Sequence, residues 1–297
     1  MNGFPRPRYA WPAPYRAAAI VTIDVDGESP MAWHNRGRDV ALLAELEQRR
    51  FGPRVGVWRL LDLLDEFGAK ASFFVPGMIA EAYPFVMPGI AARGHEIGLH
   101  GWHHEKVDEL DRAQNAAVLD RCIALFEAQL GRRPEGYRSP SWEITPEFHA
   151  LLRERGFRFD ASLQGFDHPY GYGGVTEIPG TWLVEDTIYF RFTGGPRDRT
   201  HPANPDAVLA SWIEEFEGMR EFGGLFTLTI HPWVSGRAQR IRLLRRLFAH
   251  MRAASDVWWT TAGEIARWHE ASPNAAIHQV PIATLDTRGV VGPPLPR

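Results

Sequence analysis

Two aspartates and two histidines have the spacing of a metal centre. The stretch TIDVDGESP sets Asp24 and Asp26 one residue apart, directly after the apolar run AAAIV. Because an unpaired buried carboxylate is costly, two of them at the end of a core strand indicate a bound cation or buried partners. Farther along, HGWHH sets His100 and His104 four residues apart, and Gly101 would ease a helical turn that brings both imidazoles to one side.

This set of side chains is typical of catalytic zinc. Two imidazoles and one carboxylate supply three protein ligands and leave a position open for water. Asp26 is the expected third ligand. Asp24, two residues back, would face the same way on a regular strand and lie close enough to take a proton from that water. His103 is a rival ligand at a spacing of three, whereas His95 begins its strand and is expected to be structural.

These groups need a fold that brings strand ends together. From residue 17 onwards, short β-type runs alternate with helical ones, which predicts βαβ units around a parallel sheet. The predicted strands are AAAIVTIDV, ASFFVPG, EIGLHG, GYRSPS, FRFDASL, TEIPGTW, LFTLTIHP and VWWTTAG. Helices are predicted in VGVWRLLDLLDEFG, in the proline-broken MIAEAYPFVMPGIAARG, and over 109–130, 146–155, 205–222, 236–254 and 263–270. Eight strands suit a closed or nearly closed barrel better than an open sheet.

Polar side chains collect at the predicted strand ends, where an α/β barrel builds its active site. The ionisable groups at these ends are Asp24, Asp26, His100, His104, Arg138, Asp160 and His231. A single ionisable group at a strand end is weak evidence for an active site. Here five strand ends carry such groups, and all five would converge on one mouth of the barrel. Trp102, Trp142 and Trp233 adjoin these groups and are expected to wall the mouth and stack on a substrate ring.

Composition argues against several classes of partner. The net charge of −3 gives no electrostatic reason to bind nucleic acid or an anionic membrane. No stretch approaches a membrane span, and the N-terminus lacks the apolar segment of a signal peptide, so a soluble, cytoplasmic protein is expected. Cys122 stands alone and is expected to be a small core residue, so a metal site must use histidine and carboxylate ligands.

The same residues, in this order, resemble the polysaccharide deacetylase family, the NodB-homology hydrolases of carbohydrate esterase family 4. The resemblance covers residues 17–270, between a proline-rich N-terminal arm (1–16) and an irregular C-terminal tail (271–297). The family motif T-F-D-D is matched by TIDVD, with one residue inserted, and H-[ST]-x-x-H by HGWHH, with Gly101 replacing the hydroxyl residue. R-x-P-[YF] is matched by Arg138-Ser-Pro140-Ser141 without its aromatic residue, L-x-x-H by LTIH ending at His231, and the fourth motif, most weakly, by Asp160.

The resemblance implies a distorted (β/α) barrel of seven to eight parallel strands and one divalent metal ion, usually zinc, with cobalt, nickel or iron(II) as alternatives. The implied metal ligands are Asp26, His100 and His104. Asp24 would be the general base, oriented by Arg138, and His231 the general acid, oriented by Asp160. The backbone N–H near Ser141 would help the metal stabilise the oxyanion. The implied substrate contacts are Trp102, Ser141, Trp142 and Trp233.

The departures from the family motifs indicate a subgroup. D-x-D, H-G-x-x-H-H-E, EIPGTW and TIHPWVSGRAQ resemble the branch of PuuE-type allantoinases, cyclic imide hydrolases and related peptidoglycan-deacetylase-like proteins. Some metal-independent members of that branch lack the aspartate pair, which this chain keeps. Members are often oligomeric, so a homo-oligomer (dimer or tetramer) is expected, with the arm, the tail and an insertion at 34–54 supplying contacts or a lid. The insertion's Arg49, Arg50 and Arg54 are expected to form a solvated charged face rather than to reach an acidic substrate.

The leading functional hypothesis is a metal-dependent hydrolase of non-peptide carbon–nitrogen bonds that removes an acyl group from an N-acetylated sugar, an oligosaccharide or a related amide. The alternative is a cyclic amide or imide hydrolase acting on a small cytoplasmic substrate. An iron oxygenase also uses two histidines and one carboxylate, but it does not need the second aspartate. A catalytically dead ligand-binding barrel is disfavoured by the complete set of groups.

Overall fold

The computed structural model describes residues 8–40, 43–195, 198 and 201–286. Within this part of the chain, strands and helices alternate as the sequence predicts. The strands are β1 (Ala17–Asp24), β2 (Ser72–Val75), β3 (Glu96–Leu99), β4 (Gly136–Tyr137), β5 (Phe159–Asp160), β6 (Tyr170–Tyr172), β7 (Val175–Glu177), β8 (Leu225–Ile230), β9 (Val257–Thr260) and β10 (Gln279–Val280). All eight predicted strands are present, and the short strands β6 and β10 are additional.

The strands form one curled sheet. Its order is β10-β6-β7-β5-β4-β3-β2-β1-β8, with β9 paired to the first half of β1. Every pairing is parallel except β6 with β7, so eight of the described strands run in one direction. An isolated parallel bridge between Glu185 and Thr229 ties the segment after β7 to β8 and draws the two ends of the curl together. The predicted distorted (β/α) barrel is confirmed.

Helices cover the outside of the curl. They are α1 (Ser29–His34), α2 (Leu43–Phe51), α3 (Val57–Glu66), α4 (Gly77–Ala82), α5 (Val86–Ala92), α6 (Arg112–Leu130), α7 (Pro146–Glu154), α8 (Thr187–Phe190), α9 (Pro205–Phe222), α10 (Pro232–Ser235), α11 (Ala238–Ala253), α12 (Ala262–Ala271) and α13 (Asn274–Ile277). The longest, α6, begins at a capping box of Asp111 and Gln114 and ends at Gly131, whose φ of 68° suits the left-handed C-cap. None of the described helices is long and apolar enough to cross a membrane.

The central strand β1 explains how the first aspartate reaches the site. All eight of its residues are buried, as expected for a parallel strand covered on both faces. Its odd-numbered residues pack under the outer helices, whereas Ala18 and Ile20 pack inside the curl against Phe74 and Phe159. Because side chains alternate along a strand, Asp24 continues this inner row and ends at the top of the barrel.

The arm and the tail pack on the barrel where they are described. Tyr9 and Trp11 are buried, and the Trp11 indole donates a hydrogen bond of 2.8 Å to the carbonyl of Gly223. The tail, predicted as irregular, contains α13 and β10, and β10 pairs in parallel with β6. Residues 1–7 of the predicted arm and 287–297 of the predicted tail lie outside the described residues.

Candidate metal centre and active site

The ends of β1 and β3 bring three potential ligands together. Asp26, His100 and His104 each offer one ligand atom, and these atoms lie within 4.8 Å of one another. His100 Nε2 is 3.4 Å from Asp26 Oδ1, and His104 Nε2 is 3.7 Å from Asp26 Oδ2. Asp26 Oδ1 is buried and has no hydrogen-bond partner among the described residues. Since buried carboxylate oxygens are normally satisfied, this atom and the two facing imidazoles fit a divalent cation.

The backbone after β3 fixes both imidazoles. The predicted helical turn between them is absent, and the chain turns instead through left-handed residues, Gly101 at φ 67° and His104 at φ 60°. A left-handed histidine is strained and persists only where its surroundings impose it. Glu105 holds the turn by accepting the backbone N–H groups of Trp102 and His103 at 2.9 and 2.7 Å. His100 Nδ1 lies 2.8 Å from a carbonyl oxygen, to which it donates, so its Nε2 faces Asp26 as an acceptor.

Charges and burial shift the pKa values of the three candidate ligands in different directions. Burial raises the pKa of Asp26, but His104 and His231 outweigh it, and the pKa falls below its usual range. Burial lowers the pKa of His104 to about 4, so its imidazole is neutral at pH 7. Burial also lowers the pKa of His100, but Asp24 and Asp26 raise it on balance. The two carboxylates thus attract positive charge to this point, either as a proton or as a metal ion.

Asp24 lies beside this cluster and is held by Arg138, as predicted. Arg138 is fully buried and donates from Nη1 to Asp24 Oδ1 at 2.8 Å. The same guanidinium donates to Thr22 Oγ1 at 2.9 Å and, from Nε, to the carbonyl of Ala161 at 3.0 Å. The other oxygen of Asp24 lies 3.9 Å from His100 Nε2. Asp24 therefore has one oxygen occupied by Arg138 and one directed at the candidate metal ligands.

His231 follows β8 and faces the cluster from the opposite side. Its Nε2 is 3.6 Å from Asp26 Oδ2, whereas its Nδ1 is 2.7 Å from Asp186 Oδ1. Asp186 Oδ2 accepts the backbone N–H of His231 at 2.9 Å and the hydroxyl of Ser235 at 2.5 Å. Burial opposes the charged imidazole, but Asp186, Asp26 and Glu185 together raise the pKa of His231 to about 10. His231 is thus protonated near neutral pH, which suits a general acid.

The partner of His231 is Asp186, and the predicted contact with Asp160 is absent among the described residues. Asp160 instead accepts the hydroxyl of Ser162 at 2.6 Å and lies against Glu177 in the barrel interior. Burial raises the pKa of Asp160 to about 6 and that of Glu177 well above its usual value. The sequence gives only a weak signal, the adjacent acidic residues Glu185 and Asp186, in a segment without a strand pattern of its own.

An open cavity of about 740 Å³ lies over these groups. Three of the predicted substrate contacts line it, namely Ser141, Trp142 and Trp233. The ring of Trp142 packs against Trp182, with centroids 4.6 Å apart, and both belong to the same wall. Trp102 does not line the cavity. It is 3% exposed and packs in the core, with the guanidinium of Arg121 3.3 Å above its ring.

The insertion at 34–54 forms part of the cavity wall, and Arg49 on α2 is not the solvated residue that the sequence predicted. Its side chain is 9% exposed, and its guanidinium lies 4.4 Å above the ring of Trp233. Arg50 and Arg54 do lie farther out, where each pairs with Glu47. Other cavity residues that the sequence reasoning missed are Pro30, Met31, His34, Glu45, Trp182, Glu185, Thr187, Ile188, Arg191 and Asp198.

The comparison with known proteins agrees with this geometry. Residues 51–159 match the family model for polysaccharide deacetylase. Over 262 residues, the chain is 30% identical to the peptidoglycan deacetylase-like protein FGM2 of Gibberella zeae, covering 75% of this chain and 77% of that protein. A Mycobacterium smegmatis crystal structure of polysaccharide deacetylase type matches with a TM-score of 0.87 and 33% identity, over 95% of this chain and 99% of that chain. PuuE allantoinase matches with a TM-score of 0.77 and 25% identity, over 89% and 93% of the two chains. The chain belongs to the polysaccharide deacetylase family.

Proposed function

We propose that this chain is a metal-dependent hydrolase of non-peptide carbon–nitrogen bonds that removes an N-acyl group from an amide. One observation carries the proposal: the ligand atoms of Asp26, His100 and His104 lie within 4.8 Å of one another, between Asp24 and His231. Amide hydrolysis needs a base for water, charge stabilisation on oxygen and a proton for nitrogen. The cavity contains a candidate for each of these tasks.

The proposed roles follow from the contacts of each group. A divalent cation held by the three ligands, most readily zinc, would lower the pKa of a water molecule and polarise the substrate carbonyl. Asp24 would accept a proton through the oxygen that Arg138 leaves open. His231 would donate a proton from Nε2 to the leaving nitrogen, while Asp186 holds its Nδ1. Ser141 lines the cavity, and its backbone N–H is our candidate for a further oxyanion donor.

An N-acylated amino sugar is the substrate class that we propose first. The relatives named above include a peptidoglycan deacetylase-like protein, and peptidoglycan carries N-acetyl groups on its sugars. The cavity volume of about 740 Å³ lies in the range of small-ligand sites, so a short oligosaccharide would fit. Trp182 lines the cavity with 42% of its surface exposed and offers an apolar ring face for the stacking of a sugar, while Trp142 packs behind it.

A cyclic amide or imide is the second candidate substrate. One structural neighbour is PuuE allantoinase, at 25% identity. The site also has Ser141 where the family motif has an aromatic residue, and the cavity is lined by residues of α2 and by Trp182, Ile188 and Arg191. The lost aromatic residue indicates a different substrate cleft, for which a compact ring is our second proposal.

The experiment combines metal replacement with a substrate panel. Protein stripped with a chelator would be inactive, and one equivalent of Zn²⁺, Co²⁺, Ni²⁺ or Fe²⁺ would restore activity. The panel sets acetate release from N-acetylglucosamine oligomers against ring opening of hydantoins and cyclic imides. Activity on the oligomers supports the first substrate class, and activity on the rings supports the second. Full activity of the metal-free protein, or no hydrolysis by the metal-loaded protein on either half of the panel, would contradict the proposal.

A further inference from the structure

Two arginines line the cavity, and the proposed hydrolysis assigns a role to neither of them. Arg49 contributes one charge from α2, and its position is set by the stack on Trp233. Trp233 lies two residues after His231, so the guanidinium is anchored beside the candidate general acid. Glu45 Oε1 lies 3.8 Å from Arg49 Nε, and the Glu45 side chain is 31% exposed. Arg49 is thus a fixed cation in the cavity that the candidate metal ligands also line.

Arg191 contributes a second charge from the segment after α8. It lines the same cavity, and its Nε atom is buried with no hydrogen-bond partner among the described residues. A buried donor without an acceptor costs free energy unless a ligand satisfies it. The two arginines enter from elements that touch, because the Gln48 side chain donates a hydrogen bond of 2.6 Å to the carbonyl of Phe192. In the sequence, Arg49 directly follows Gln48, and Arg191 directly precedes Phe192.

We propose that Arg49 and Arg191 form an anion subsite, so that the substrate carries a carboxylate near the amide that is cleaved. The proposal rests on the proposed function and narrows its substrate class. A planar guanidinium matches the two oxygens of a carboxylate. The carboxylates of Glu45 and Asp198 also line this cavity, so a singly charged carboxylate suits it better than a doubly charged phosphate.

Two matched pairs of substrates test the proposal and distinguish the two sources of such a carboxylate. N-acetylmuramic acid differs from N-acetylglucosamine by a lactyl carboxylate, and dihydroorotate differs from dihydrouracil by a ring carboxylate. In the pair that is hydrolysed, the acidic member should have the higher kcat/KM. Arg49→Gln and Arg191→Gln should each raise KM for the acidic member about tenfold to a hundredfold, as expected for a lost charge-assisted hydrogen bond. The ratio of kcat/KM for the acidic member to kcat/KM for the neutral member should fall by a similar factor in each variant.

Arg54→Gln is the matched control, because Arg54 is 46% exposed, pairs with Glu47 and does not line the cavity. This variant should have the wild-type kcat/KM for all four substrates. Thermal melting would check that the Arg49 variant folds. Because Arg191 is less buried, Arg191→Gln tests the subsite even if the Arg49 variant does not fold. An unchanged KM for the acidic member in both variants, or a preference for the neutral member, would overturn the anion subsite.

A binding measurement separates failure of the subsite from failure of the proposed function. Calorimetric titration of the metal-loaded protein with muramic acid and with glucosamine compares a pair of deacetylated products without requiring turnover. Tighter binding of muramic acid, lost in Arg191→Gln, supports the subsite even if no amide is hydrolysed. If no substrate is turned over, equal binding of the two products, or binding of neither, would count against the subsite as well as the proposed function.

Discussion

At the scale of single residues, Arg138 links the candidate base to the candidate metal ligands. Its side chain donates to Asp24, and its backbone carbonyl accepts a hydrogen bond from His100. A fully buried guanidinium normally needs such partners, because an uncompensated buried charge is strongly destabilising. The pairing also leaves the second oxygen of Asp24 directed at His100. One residue therefore contacts both the candidate proton acceptor and a candidate ligand of the proposed cation.

Replacing Asp24 separates metal binding from catalysis. Asp24→Asn retains the size of the side chain but removes the basic carboxylate, while Asp26, His100 and His104 remain. We expect unchanged metal content and a fall in kcat of about a hundredfold to ten-thousandfold, the usual range for a lost general base. Metal analysis and steady-state kinetics on the same preparation provide the test. A fully active variant would show that another group accepts the proton.

Replacing the two candidate partners of His231 tests which of them orients it. Asp186→Asn would place an amide against His231 Nδ1 and weaken its orientation, so kcat should fall about a hundredfold or more. Asp160→Asn is the matched control, because its hydrogen bond is to Ser162 and not to His231. It should change kcat by no more than a few fold. If the Asp160 variant lost activity while the Asp186 variant kept it, our assignment of the partner would be reversed.

At the scale of elements, a close backbone contact holds the segment that carries His231. Gly56 ends a π-helical turn (Gly52–Gly56) that packs against α10, the short helix directly after His231. A Cβ atom at this position would lie 2.0 Å from the carbonyl oxygen of Pro232. Since neither partner is a flexible side chain, the two backbones can approach so closely only with glycine at position 56. The π-helical turn after α2 is therefore in direct backbone contact with the segment that carries the candidate general acid.

A single methyl group tests this connection. Gly56→Ala should destabilise the protein by about 1–3 kcal/mol, as overpacking does, and should lower kcat by displacing His231. Gly218→Ala in α9 is the control, because a Cβ atom there meets nothing within 4 Å. A helix-interior Gly→Ala change with free space should stabilise by up to about 1 kcal/mol. Urea unfolding and kinetics would measure both effects, and equal stability of the two variants would refute the close contact.

At the scale of the whole molecule, buried neutral histidines make stability dependent on pH. Burial lowers the pKa values of His95, His149 and His269 to about 4 each. Their unfolded pKa is about 6.5, so the unfolded chain binds more protons between these values. The free energy of unfolding should therefore fall as pH drops from about 6.5 towards 4, by up to about 3 kcal/mol for each histidine.

His149 offers the cleanest test, because neither ring nitrogen has a hydrogen-bond partner among the described residues. Its ring packs edge-on against Tyr172. His149→Phe should reduce the loss of stability between pH 6.5 and 4, and the exposed His201→Gln should not. Urea unfolding at pH 7 and pH 4.5 measures the difference. An identical pH dependence in wild type and His149→Phe would contradict a neutral buried imidazole.

The whole molecule also shows which features a sequence can predict. The barrel and its eight parallel strands were predictable, because apolar runs between helical stretches specify βαβ units. The aspartate pair and the two histidines were predictable from their spacing at strand ends. Asp186 and Arg49 were not, because one lies on a segment held by a single bridge and the other on an inserted helix. Tertiary contacts alone bring Asp186 to His231 and Arg49 to the cavity. The homo-oligomer and the cytoplasmic location stay predictions.

Anomalous diffraction from crystals of the metal-loaded protein tests the central claim most directly. We predict one peak at the metal's absorption edge, about 2.0–2.2 Å from a carboxylate oxygen of Asp26 and from Nε2 of His100 and His104. The described residues contain another cluster whose ligand atoms lie within 4.8 Å of one another, formed by Glu185, Asp186 and His231. A peak in that cluster, or no peak at all, would contradict the account.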